Sequence, residues 1–411
     1  MAYEPLDLSA AHNAGLDVLG GVGPLGEQAL RGLPFQLGTD PQKCLVACGD
    51  EGAEIAIGRQ ATWLVVAHRL LESEIGDNGP LGVEVAQYAF HYADDKVIRT
   101  PVRDRFEISM VPHAYGGAPF VAVPDTNDCV LPRDAGEWGS AGRRQMEVDA
   151  GRAQNYVLWA WKNPHPDIAL DRLVVEAAGP AFVIAGITVS DLDEEPVCRE
   201  GTREVIITLP REEDARESAP VEVEVDRGLA TYPYALPEQS SEDFIADRKG
   251  WGEAQNEGSS PAYVEIAANP SATVQVKRGD EVLGEANWGE MREKGQVEAS
   301  ERVRLEVVDR GKNWVHTKVV DDETGKPVPC RVHFRSPEGI PYAPHGHHAH
   351  VNSNMGTWHI DVGGDVRMGQ ITYAYIDGKC QGWLPRGEVV VDVARGYEYE
   401  PLRQKIEIKP G

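Results

Sequence analysis

The segment "YAPHGHHAHVNSN", residues 342–354, carries His345, His347, His348 and His350, four of the chain's twelve histidines. Clustered imidazoles are the natural ligands of a divalent transition metal such as zinc, which also accepts carboxylates. Alternate residues of an extended strand point the same way, so His345 with His347, and His348 with His350, can each grip an ion from one face. His359 in "TWHIDVGGD", with Asp361 and Asp365 close by, would supply a further ligand. The surrounding Pro, Gly, Asn and Ser residues describe a loop, and a loop can hold solvated histidines of adventitious affinity only. One expectation is therefore a metal-dependent hydrolase or lyase centred on His345, His347, His348, His350 and His359.

A second group lies in "NYVLWAWKNPHPD". Trp159 and Trp161 share a face at i, i+2 spacing, close to Tyr156, and such a pair can stack on sugar rings. Asn163 and His165 in the following turn would orient a hydroxyl. The plainer alternative is a core-facing Trp pair, and it weighs more, because large aromatics usually pack inside. Hydrolytic chemistry without metal finds no G-x-S-x-G elbow. A lyase built on Arg367 and Tyr373 beside "HVNSNMGTWH" can be assembled from the residue types, with little to single it out.

The elements that must position these groups read as strands. "AEIAIG", "TWLVVAHRLL", "GVEVAQYAFHYADD", "RLVVEAAG", "AFVIAGITVSDL" and "REVIITLP" are short apolar runs bounded by Gly, Pro, Asn or Asp. Their rhythm predicts an all-β protein of two to three antiparallel β-sandwich domains in tandem. Helical patterns are confined to "GEQALRGL" near 26–33 and "SSEDFIADRKGWGEAQ" near 240–255. The charged, Pro-bounded "PREEDARESAPVEVEV" at 210–225 reads as a linker. It sets expected domains at 1–210, 211–312 and 313–411. No phosphate-binding glycine motif is present.

Sixty-six Asp and Glu against forty Lys and Arg leave a net charge of −26. A surface so acidic repels nucleic acid and anionic membranes. No apolar run approaches a membrane span, and the N-terminus lacks the layout of a secretory signal, which favours the cytoplasm. Six scattered cysteines form no disulfide framework; buried reduced thiols are expected.

Several ordered motifs carry a resemblance. They are Thr324-Gly325-Lys326-Pro327-Val328-Pro329, Pro344-His345-Gly346-His347, Tyr375-Ile376-Asp377-Gly378, Leu384-Pro385-Arg386-Gly387 and Arg395-Gly396-Tyr397-Glu398-Tyr399. The segment 315–411 thereby resembles the carboxypeptidase-regulatory-like β-sandwich of CehA/McbA-type proteins. Residues 28–209 look, more loosely, like the galactose-binding-like sandwiches at the front of such proteins, through "LRGLPFQLG", "VEVAQYAFHYADDKVIRTPVR" and "FVIAGITV". In that family the chemistry belongs to a following PHP metallohydrolase domain, and these 411 residues end where it would open. The resemblance thus implies a non-catalytic accessory or assembly region, with a carbohydrate ligand and a separately encoded PHP domain as its partners. The metal-dependent enzyme is the alternative, and a self-associating structural subunit, a homo-oligomer, is a third.

Overall fold

A computed structural model of the protein describes residues 3–49, 52–112, 119–127, 129–130, 148–149, 152–217, 219, 221–247, 255–347, 365–368 and 371–410. Of the described residues 48% are in strands and 7% in helices, the sheets are antiparallel, and the protein is all-β with several domains. The residues group into two compact units, one of Met1–Asp128 with Ala150–Arg199, the other of Glu200–Gly411 with Cys129–Asp149.

In the first unit, one sheet runs in the order Tyr3–Pro5, Phe182–Ser190, Trp63–Leu70, Val157–Lys162, Val123–Pro124. The facing sheet runs Ala53–Arg59, Leu170–Ala177, Glu84–Tyr92, Val97–Arg103. Leu64, Val66, Tyr88, Phe90, Leu173 and Ile184 interlock between them. The other face of the first sheet is covered as well, by Leu33, Phe35, Leu37 and Cys44 packed on Val65, Leu158 and Val183. Double coverage explains why "FVIAGITVS" is apolar at nearly every position: each residue of that strand is buried.

The expected helix near 26–33 is instead a hairpin of Glu27–Leu30 and Leu33–Gln36. Arg31 and Gly32 take φ of 49° and 76°, the two positive values of a tight primed turn. Leu30 and Leu33, whose spacing imitates a helix, are both buried from this hairpin. The 240–255 expectation is met over Ser241–Ala246, where the Ser240 side chain accepts a hydrogen bond from the Asp243 amide.

Three of the sheets of the second unit pack in layers. The central one is ordered Gly228–Ala230, Ala262–Ala268, Arg203–Thr208, Val303–Val308, Gln296–Ser300. The Arg203–Thr208 strand, placed ahead of residue 210 from sequence, thus pairs inside this unit. Val205, Ile207, Val264 and Leu305 pack toward a small sheet of Glu222–Val225, Thr273–Arg278 and Glu281–Asn287. Ile206, Tyr234 and Tyr263, on the opposite side, pack on Val332, Phe334, Val389 and Val391 of the C-terminal sheet. That sheet is ordered Asp365–Met368, Ile371–Ile376, Cys330–Arg335, Gly387–Ala394, Leu402–Ile408.

The charged 210–225 segment is built into this unit rather than linking two. It forms a helical turn, Glu212–Arg216, and the strand Glu222–Val225. Asp214 is buried and receives Arg302 through two nitrogens, at 2.9 and 2.6 Å. Cys44, Cys48 and Cys330 are buried free thiols, and burial raises the Cys48 thiol to about 12. Among the described residues, no helix is long and apolar enough to cross a membrane.

Candidate functional site

The aromatic strand of the first unit is core. Trp159 and Trp161 do share a face, and that face points between the sheets, where they are 5% and 6% exposed. Trp161 stacks on Phe90 at 3.7 Å and donates its indole N–H to Thr100 Oγ1. Trp159 lies parallel to the His68 ring at 6.3 Å. Tyr156 points to the opposite face and is fully buried, its phenol raised by desolvation. Asn163 is buried; it accepts from the Tyr92 hydroxyl and the His165 amide, and donates to the Ala61 carbonyl. His165 sets its ring edge-on to Tyr92. The stacking platform expected from Trp159 and Trp161 therefore has no open face, because the second sheet covers it.

The histidine cluster is described only in part: His348, His350 and His359 lie outside the described residues, and so does the side chain of Arg367. The chain from Pro341 to His347 is held by backbone pairing. Pro341 and Tyr342 bridge to Arg335 and Phe334, and the His345 amide donates to the Gln381 carbonyl at 2.7 Å. Gly382 permits this approach: a Cβ there would sit 3.2–3.3 Å from Ala343 O, His345 N and Pro344 Cα. His345 is exposed, and its ring meets Trp314 edge-on at 5.6 Å. No group of three metal-ligating side chains occurs among the described residues, so His345 and His347 would need ligands from outside them.

His345 therefore joins an aromatic surface that the sequence reading did not single out. Lys312–Lys318 pairs antiparallel with Lys379–Pro385, and Trp314 stands directly opposite Trp383. Strand alternation turns Val315 inward, with Cys380 and Leu384, against the C-terminal core. It turns Trp314, His316, Gln381 and Trp383 outward. The two indoles are 38% and 55% exposed and meet edge to face at 5.4 Å. The Trp314 N–H reaches Gln381 Oε1 at 3.3 Å. Beyond His316 and Gln381 come Lys318 and Lys379, opposite one another and exposed. Indole faces bind the apolar C–H surface of a ring, while amide and imidazole groups bind its hydroxyls. The signal in the sequence was the alternation of "KNWVHTK" and "KCQGW", which puts tryptophan on the same face as lysine, histidine and glutamine.

Tyr373 is engaged in structure, on the side of the C-terminal sheet opposite its core. Its buried hydroxyl donates to Asp392 Oδ2 at 2.9 Å, and Arg403 Nε donates to the same oxygen at 3.1 Å. Burial and the Asp392 carboxylate raise the Tyr373 phenol, which opposes its use as a base. His333, also buried, bonds through Nδ1 to the Thr372 carbonyl, and burial with the nearby Arg335 charge lowers it to about 3. Both groups serve the interior of the sheet face.

The fold and this surface define an all-β, multi-domain protein with an exposed indole pair on its C-terminal half. No protein-family model matches the chain, and no curated protein matches it.

Proposed function

We propose that the chain is a ligand-binding β-domain protein whose binding face is the exposed surface around Trp314 and Trp383, and that its ligand is a carbohydrate. The observation that carries this is the indole pair itself, open to solvent and flanked by Gln381, His316 and His345. An exposed pair of tryptophans is an apolar patch rather than a scattered surface residue, and tryptophan is concentrated at binding hot spots. The face is open and carried on two paired strands, which suits an extended polymer over a small enclosed molecule. The sequence resemblance adds that this binding is accessory to a metallohydrolase activity resident in a PHP domain.

Affinity electrophoresis of the whole chain in neutral and uronate-containing polysaccharides tests the first part. Retardation by at least one polymer, lost in Trp383→Ala and kept in Trp159→Phe, is expected. Equal migration of wild type and Trp383→Ala in every polymer defeats it. Co-purification with a PHP-domain protein encoded nearby tests the accessory role, and a failure there leaves the carbohydrate site standing.

A further inference from the structure

Three segments far apart in sequence meet at one end of the C-terminal sheet. They are the turn ending at Pro329, the turn around Asp377, and the Arg395–Tyr397 bend after the Gly387–Ala394 strand. Together they line a cleft of about 650 Å³, within the size range of small-molecule sites. Arg331 belongs to its lining, on a strand paired in register with Tyr375 on one side and Ala394 on the other. Tyr375 is half exposed and Tyr397 fully exposed, so aromatic surface walls the cleft.

The charges are the informative part. Arg395 is half-buried in the cleft lining and rests on the Tyr399 ring, 4.5 Å from its centroid. It forms no hydrogen bond or direct ion pair among the described residues, and the one carboxyl its charge helps to hold low, Asp321, lies outside the lining. That is conspicuous in a chain with twenty-six more acids than bases, where Arg302, Arg278, Arg403 and Arg99 all hold carboxylates. Arg331 also lines the cleft, with its guanidinium 5.6 Å from the Tyr373 ring centroid, and Asp377 is the sole carboxylate of the lining. Asp377 is turned to its own loop, accepting from the Lys379 amide at 3.1 Å. The cleft lining thus carries the Arg395 guanidinium beside aromatic walls. A guanidinium fork matches a carboxylate, and tyrosine rings match a flat apolar body.

We infer that this cleft is a second binding site, distinct from the Trp314–Trp383 face, that takes a small aromatic carboxylic acid on Arg395 with its ring against Tyr375 and Tyr397. The bend at Gly396, with φ of 62°, turns Arg395 and Tyr397 to the same opening.

Saturation-transfer difference NMR on the whole chain tests this with 3-phenylpropanoate and its uncharged amide as probes. The acid is expected to give a saturable signal, with the amide at least tenfold weaker. Arg395→Gln should weaken the acid at least tenfold, Arg395→Lys less so, and Trp383→Ala should leave it unchanged. Tyr397→Ala, at a fully exposed position, provides a variant whose folding is not in question and should also weaken the acid. Equal binding of acid and amide, no signal from the acid, or wild-type affinity in both Arg395→Gln and Tyr397→Ala would overturn the site. Loss of the acid signal in Trp383→Ala would assign it to the other face and overturn it too.

Discussion

The guanidinium of Arg335 lies 3.4 Å from the centroid of the Phe244 ring, and among the described residues none of its three nitrogens has a hydrogen-bond partner. Arg335 is 1% exposed, Arg403 approaches the same ring at 4.0 Å, and burial beside this second cation lowers Arg335 to about 10. A cation–π contact contributes about 1–2 kcal/mol, while leaving a charged donor buried and unbonded costs about as much or more. The balance favours removal of the charge. Arg335→Met should raise stability by roughly 1 kcal/mol, read as a higher urea midpoint at unchanged slope, since a linear side chain fills the volume. Phe244→Ala should lower it by about 3–5 kcal/mol. A lower midpoint for Arg335→Met would mean that the stacked ring outweighs desolvation.

Asp214 anchors the charged segment to the body of the second unit. Its carboxyl is held below the usual range by the hydrogen bonds and charge of Arg302, with Arg278 adding to them at 3.6 Å. Removing one partner of a buried pair leaves the other charge stranded. Asp214→Ala should therefore cost about 3 kcal/mol and open residues 210–225 to trypsin. Wild-type protein should resist cleavage there; equal cleavage of both would show that the segment is a loose connection.

His68 predicts acid sensitivity. Its ring lies between the Tyr88 hydroxyl at 3.0 Å and the Glu107 carbonyl at 2.9 Å, and burial lowers it from 6.5 to about 4. The native state then binds fewer protons than the unfolded chain between those values, so stability falls as pH drops through this window. From pH 7 to 5 the loss should be about 2 kcal/mol from this residue. His68→Gln keeps hydrogen-bonding capacity without the titration and should flatten the profile. Identical pH slopes for the two proteins in urea titrations would exclude this role.

The two tryptophan pairs should separate stability from binding. Trp161→Ala removes the ring stacked on Phe90 and should cost about 3–5 kcal/mol. Trp383→Ala removes a ring more than half exposed and should change the unfolding midpoint by no more than about 0.5 kcal/mol. Comparable destabilisation by both would make Trp383 a packing residue.

Much of the fold was legible because burial leaves long traces. "TWLVVAHRLL", "AFVIAGITVSDL" and "REVIITLP" became the strands Trp63–Leu70, Phe182–Ser190 and Arg203–Thr208. Misreadings came where a pattern depends on partners far along the chain. The Leu30 and Leu33 spacing suits a helix until Arg31 and Gly32 reverse the chain. The 210–225 segment reads as a linker because Arg302, which binds its one buried acid Asp214, lies 88 residues away. Alternation placed Trp159 and Trp161 on one face, yet only the second sheet determines that this face is covered. The Trp314–Trp383 pair was readable from the lysines and glutamine alternating with it, and the register that sets them opposite each other was not.

The central sheet of the second unit has consequences for how such a chain can evolve. Ile206, Tyr234 and Tyr263 are clothed by the C-terminal sheet, while Val205 and Ile207, on the reverse of the same strand, belong to another core. A gene severed near residue 312 would yield two fragments with raw apolar faces, prone to clump before either could fold alone. The C-terminal β-domain is a graft, not a cassette. Recombination could carry it to another protein only together with its host sheet, so both binding faces proposed here should be inherited as a single block.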